Sequence, residues 1–203
     1  MMQAQYWRLN HSGIGLHLAP QKTQFSDYSS LDKGGIMAQV SYYNELSYNH
    51  GIHLGMVLSY QQGYAQKPAC ADDPFYPCGI PSYMISVVKF PILYRYMHKV
   101  NKMVNFKSTI GPQVSCYAWT DNPLGTKIYK PASIDFVLGL EMVHFLLPGL
   151  QFSYGLRYDN SLSNPENRKA LQDDGTPVYH LFVPFPHTLT FAFMFGIEFI
   201  WEK

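Results

Sequence analysis

Charged side chains are scarce in this sequence. Fifteen Lys and Arg against 14 Asp and Glu leave a net charge of +1 over 203 residues, and 14% of the chain is charged. There is no basic stripe and no acidic run, which excludes a nucleic-acid partner, since a phosphate backbone demands clustered cations. Long apolar runs are missing as well. Polar residues or Gly interrupt each apolar stretch within a few positions, so no segment offers the roughly 18 apolar residues of a membrane-spanning helix. Cysteine is limited to three residues, which cannot all pair. Cys70 and Cys78 share one Pro-rich segment, 68–79, and would close a short loop in an oxidising compartment, with two free thiols as the alternative. Cys116 lies on an apolar strand face and is expected to be a packed thiol. No shift of composition divides the chain, so 1–203 is read as a single domain. The opening Met1-Met2-Gln3-Ala4-Gln5 has neither the basic nor the apolar region of a signal peptide, yet Ala4-Gln5 resembles the residues around a signal-peptidase cut. An upstream leader on the precursor is therefore expected.

What the chain has in plenty is aromatic rings, 16% of its residues, and a period of two. Leu189, Phe191, Phe193, Phe195, Ile197, Phe199 and Trp201 share one face, opposed by Thr190, Ala192, Met194, Gly196 and Glu198, the alternation of a half-enclosed strand. Ile134, Phe136, Leu138, Leu140 and Met142 repeat it, and after Leu147-Pro148-Gly149 so do Leu150, Phe152, Tyr154, Leu156 and Tyr158. Weaker versions recur upstream. The pattern predicts strands near 6–19, 35–43, 51–61, 82–97, 103–119, 132–144, 150–159 and 187–201. Several exceed the 9–11 residues that a tilted strand needs to cross the hydrocarbon layer. The connectors alternate: 20–34, 62–81, 120–131 and 160–186 are long, whereas 44–50, 98–102 and 145–149 are short. These features predict an all-β fold, a closed antiparallel up-and-down transmembrane β-barrel of eight strands. Long loops would be extracellular, and short turns and both termini periplasmic, in a bacterial outer membrane.

A soluble lipocalin-type barrel alternates too, but it would turn the greasy face inward around a ligand. Here the mixed face is rich in Gly and small residues, which suits a narrow filled interior, while the apolar face is too continuous for one ligand cavity. Tyr42, Tyr60, Tyr94, Tyr96, Tyr158 and Trp201, near strand ends, suit interfacial girdles. The membrane reading places Lys89, Arg95, Lys107, Asp135, Glu141, Arg157 and Glu198 in the lumen. Eight strands leave room only for side chains there, so these charges are expected to pair as a plug rather than line a conducting path.

Catalysis finds little footing. Ser86 and Ser108 on the apolar face, with His98, His144 and His187 near strand ends, form no adjacent nucleophile, base and acid. His50 and His53 lie three apart, which on a strand turns them to opposite faces and makes a poor metal pair. No cofactor is expected. In the longest loop, Tyr179, Phe182 and Phe185 could dock on a partner, against the plainer reading of a solvated loop.

Tyr83-Met84-Ile85-Ser86-Val87-Val88-Lys89-Phe90-Pro91-Ile92-Leu93-Tyr94-Arg95-Tyr96, then Gly111-Pro112, then Phe152-Ser153-Tyr154-Gly155-Leu156-Arg157-Tyr158 ahead of Asn160-Ser161-Leu162-Ser163-Asn164, resemble strands of the PorT-like outer-membrane barrels of the Bacteroidota type. Gly196, Phe199 and Trp201 resemble the signal by which the barrel assembly machinery recognises its substrates, although Glu202 and Lys203 follow where the usual pattern ends. The resemblance implies a non-enzymatic accessory or scaffold subunit of an outer-membrane assembly for biogenesis or secretion. Its implied partners are outer-membrane lipid, the assembly machinery during insertion, and other outer-membrane or periplasmic proteins. A stand-alone barrel and, further off, a lipid-modifying enzyme are the alternatives.

Overall fold

A strand that is bulky and apolar on one side and small or polar on the other cannot satisfy both sides in one solvent, and eight of them in succession can enclose the polar side by closing on themselves. The computed structural model, described over residues 11–25, 34–47, 49–64, 82–101, 103–121, 132–162 and 188–202, does this. Its strands are β1 (His11–Phe25), β2 (Gly34–Ser47), β3 (His50–Tyr64), β4 (Ser82–Lys99), β5 (Val104–Asp121), β6 (Ala132–Leu147), β7 (Leu150–Ser161) and β8 (Thr188–Glu202). Each pairs antiparallel with the next, and β8 pairs with β1 to close the barrel. Closure leaves no edge of unpaired N–H and C=O groups.

Three short turns lie at one end, with His11 and Glu202 paired beside them. Asn49 and Gly149 take positive φ of 72° and 79° in two of these turns, a region that Gly enters freely and Asn tolerates. In the third, Asn101 Oδ1 accepts hydrogen bonds from the backbone N–H groups of Met103 and Val104, each at 2.8 Å.

β1 is longer at its far end than the sequence predicts. It runs through Pro20 to Phe25, so that 20–25 are strand rather than loop. Pro20 still pairs with Ile36 on β2, while the ladder to β8 skips Ala19 and Pro20 and resumes at Gln21 and Ala192. A ring without an N–H costs rungs on one side only, and the alternation continues beyond it.

Odd positions point inward in β1 to β7 and even positions in β8. Outside is a belt of bulky apolar side chains, Leu16, Ile36, Leu58, Ile92, Leu138 and Phe195 among them. Inside, Ala19, Met37, Val57, Ala192 and Met194 form one small apolar cluster, and Leu93, Val137 and Val143 are among the other enclosed apolar side chains. Polar and charged groups fill the rest.

Candidate functional site

The enclosed charges fall into two groups stacked along the barrel axis. In the half towards the long connectors, Arg157 and Asp159 sit two apart on β7 and therefore share a face. Arg157 Nε donates to Asp159 Oδ1 at 2.7 Å, and Lys89 Nζ reaches Asp159 Oδ2 at 2.8 Å from β4. The Arg157 guanidinium also spans the lumen, donating to Gln39 Oε1 at 2.8 Å and to Gln113 Oε1. Gln113 Nε2 donates to Asp135 Oδ2 at 3.0 Å, and Ser115 and Ser133 hydroxyls complete the shell of that carboxylate.

In the half towards the short turns, Lys107 and Glu141 face each other across β5 and β6. Lys107 Nζ lies 2.8 Å from Glu141 Oε2 and also bonds Glu198 Oε1 from β8. Arg95 Nη2 is 3.6 Å from Glu198 Oε2, and its guanidinium lies over the Tyr43 ring, 3.7 Å from the centroid. His17 Nε2 approaches Glu141 and Glu198 at 3.6 and 3.4 Å and Ser153 Oγ at 3.2 Å. Gln39 links towards this half through His53, Nε2 to Nε2 at 3.0 Å.

All seven charges expected in the lumen are enclosed, and so is Asp159. Among the described residues the enclosed Lys and Arg are Lys89, Arg95, Lys107 and Arg157, against Asp135, Glu141, Asp159 and Glu198. The signs balance in total, and they balance within each half. A charge stripped of water is costly unless it is paired and hydrogen-bonded, and a barrel this narrow has no water-filled bore to screen it.

Asp159, His17 and Tyr43 belong to the network without having been singled out. All three sit on the inward phase of their strands, which is the signal that could have found them; the sequence does not show which residues meet across the lumen.

His17, Glu141 and Glu198 bring potential ligand atoms within 4.8 Å of one another. The Lys107 ammonium already bonds both carboxylates, so the trio reads as an ion-pair cluster with its own internal cation. Nor is the Ser153 and His17 contact that of an acyl-transfer triad. In a triad the acid holds the ring nitrogen opposite the nucleophile, whereas here Glu141, Glu198 and Ser153 all meet Nε2, and Nδ1 has no hydrogen-bond partner among the described residues. Ser86 and Ser108 lie half-buried on the outward phase of β4 and β5. His53 is enclosed and His50 exposed, on opposite sides of the wall.

Gly196 points inward, and a Cβ there would run into the His17 ring. Phe199 and Trp201 point outward on the same strand. Cys70, Cys78, Tyr179, Phe182, Phe185 and His187 lie outside the described residues; Cys116 is a free, half-buried thiol.

This geometry has solved counterparts. The outer-membrane protein OprG from Pseudomonas aeruginosa superposes with a TM-score of 0.58 at 10% identity, covering 97% of this chain and 97% of OprG. Neisserial surface protein A gives 0.54 at 9% identity, over 93% of this chain and 96% of that one. Ail, the attachment invasion locus protein of Yersinia pestis, solved with the heparin analogue sucrose octasulfate, gives 0.51 at 10% identity, over 95% and 99%. The fold is that of the small outer-membrane barrels. No protein-family model matches the chain, and no curated protein matches it in sequence.

Proposed function

We propose that the chain resides in a bacterial outer membrane as a non-enzymatic accessory or scaffold subunit of a larger assembly for protein biogenesis or secretion. Its outward belt lies against acyl chains, its short turns and both chain ends face the periplasm, and its long connectors face outside. A belt of exposed Leu, Ile and Phe encircling the molecule far exceeds the apolar patches that soluble monomers tolerate. The observation that carries the functional reading is the filled, charge-balanced interior. With the described interior occupied by its own side chains, the surfaces left for work are the outward belt and the connectors. The PorT-like resemblance of 83–96 and 152–158 supports the assembly role, and Gly196, Phe199 and Trp201 fit recognition by the barrel assembly machinery.

Extraction of the chain from its native membrane in mild detergent, followed by identification of co-purifying proteins, tests this. Stoichiometric outer-membrane or periplasmic partners are expected. A chain that purifies alone is a stand-alone structural barrel, which the same filled interior also suits, and altered lipid A on overexpression would point to an enzyme instead. Tyr179, Phe182 and Phe185 are the proposed docking residues, and replacing them with Ser should release the partner while leaving the barrel folded. A disulfide between Cys70 and Cys78 would show as a gain of two hydrogen atoms in mass on reduction.

A further inference from the structure

Pro20, Pro91 and Pro112 sit inside strands, and each leaves a mark on the hydrogen-bond ladder. A closely bonded antiparallel pair exchanges two N–H···O=C bonds, and a proline can supply only the acceptor half. Towards β3, β4 pairs Ile92 with Leu54 and Lys89 with Val57, but the steps between them, Pro91 with Gly55 and Phe90 with Met56, are missing. Towards β5, it pairs Pro91 with Gln113 and Tyr94 with Ile110, but Ile92 with Pro112 and Leu93 with Gly111 are missing. These are the steps that need the absent N–H groups. The carbonyls of Gly55 and Ile92 therefore stand opposite rings that donate nothing. Pro20 interrupts β1 in the same way opposite Phe193, but towards β8 alone. Among the described residues, no strand other than β4 is interrupted towards both neighbours at one level.

That level is the middle of β4, which runs from Ser82 to Lys99. Glycine lies against both breaks: a Cβ on Gly55 would stand 3.2 Å from Pro91 Cγ, and one on Gly111 would collide with the Ile92 carbonyl oxygen. Glycine weakens a strand interior, and a carbonyl without its donor is most costly in hydrocarbon, which offers no replacement. Phe90, Ile92 and Pro112 face outward here, into the apolar belt. Inside, Lys89 and Arg95 flank the same point, Lys89 held by Asp159 in one charge cluster and Arg95 beside Glu198 in the other. We infer that the middle of β4 is a yielding point of the barrel wall, where the strand parts locally and reversibly from β3 and β5 while its ends stay paired, loosening both charge clusters at once. Segments with few bonds open in this way well below the cost of global unfolding. The inference rests on the membrane reading above for the cost of the unpaired carbonyls and goes beyond it in assigning a moving part.

The full chain in phosphatidylcholine nanodiscs, transferred to heavy water, gives an exchange rate for each backbone amide by NMR. Corrected for intrinsic rates, Gly55 and Ile92 should exchange on the order of fivefold faster than Leu138 and Leu140, the factor carried by one net hydrogen bond. The ladders of those two residues run unbroken on both sides. Pro112→Val changes a side chain on the outer face and returns an N–H to the Ile92 carbonyl, so it should remove most of the excess at Ile92. Pro91→Val should do the same at Gly55. Pro20→Val should slow Phe193 and leave Gly55 and Ile92 as they were. Lys89→Met frees β4 from Asp159 and should speed Gly55 and Ile92 more than Leu138. Rates at Gly55 and Ile92 as slow as at Leu138, or equal slowing of them by Pro20→Val, overturn the yielding point while the membrane reading stands. An equal rise at Leu138 in the Lys89 variant overturns its link to the charge clusters. A chain that does not insert into the bilayer overturns both readings.

Discussion

Lys107 holds two carboxylates that would otherwise repel each other, and it is fully enclosed while doing so. Lys107→Met keeps most of the volume but leaves Glu141 and Glu198 with the more distant Arg95 as counter-charge. Breaking a buried pair from one side costs about 3–5 kcal/mol, and that loss is expected in urea unfolding of the chain in vesicles. Glu141→Gln should cost less, because Lys107 keeps Glu198 and the amide still accepts a hydrogen bond. A Lys107 variant as stable as the parent would show the cluster to be incidental. Gly196 makes a different kind of demand. The Cβ of Gly196→Ala would fall on the His17 ring, and overpacking of this sort costs about 1–3 kcal/mol. Since the clash is with one side chain, His17→Ala should recover most of the loss, and a double-mutant cycle in the same unfolding assay measures the coupling. If the two losses simply add, Gly196 matters for another reason, such as recognition during assembly.

Along a strand, cost depends on face and on depth. Leu138 lies outward near the middle of β6, and Leu147 at its short-turn end. In a bilayer, Leu138→Arg should destabilise by about 2–4 kcal/mol and Leu147→Arg by about 0–1, since charge on the outer wall is penalised by depth. Denaturant unfolding of both variants in the same vesicles gives the difference; equal small effects would mean that water, not lipid, bathes this face. Elements of this sort are the part of the structure most legible in sequence. The run from Leu189 to Trp201 predicts β8 over 187–201, and the strand is Thr188–Glu202. Period two is a local property of the backbone, so a single strand announces it. β1 was less legible because Pro20 looks like a terminator, and only its pairing with β2 shows that the ladder survives it. The interior divides in the same way. Neighbours on one strand, such as Arg157 and Asp159, follow from period two alone. The reach of Lys107 to Glu198, or of Arg157 to Gln39, depends on how far the closed sheet is staggered around the axis, and no local pattern carries that number.

At the scale of the whole barrel, two neutral clusters in series close the lumen independently. Arg157, Gln113 and Gln39 cross it in the half towards the long connectors, and Lys107, Glu198 and Arg95 cross it in the half towards the short turns. An ion entering from either end would have to displace a paired charge that has no water to move into, and then meet the second cluster. The unaltered chain should therefore give no steady conductance in planar bilayers. Because the obstacles are in series, Lys107→Met should lower stability and yet leave the barrel closed, as should Arg157→Ala alone, since each removes one barrier and spares the other. Combining the two removes a spanning side chain from both halves and leaves unbalanced carboxylates along the bore, so leak currents selective for cations should appear only in the double variant. Steady currents in the parent, or in either single variant, would mean that water and ions already pass between the clusters, and the interior would then have to be read as a path rather than a plug.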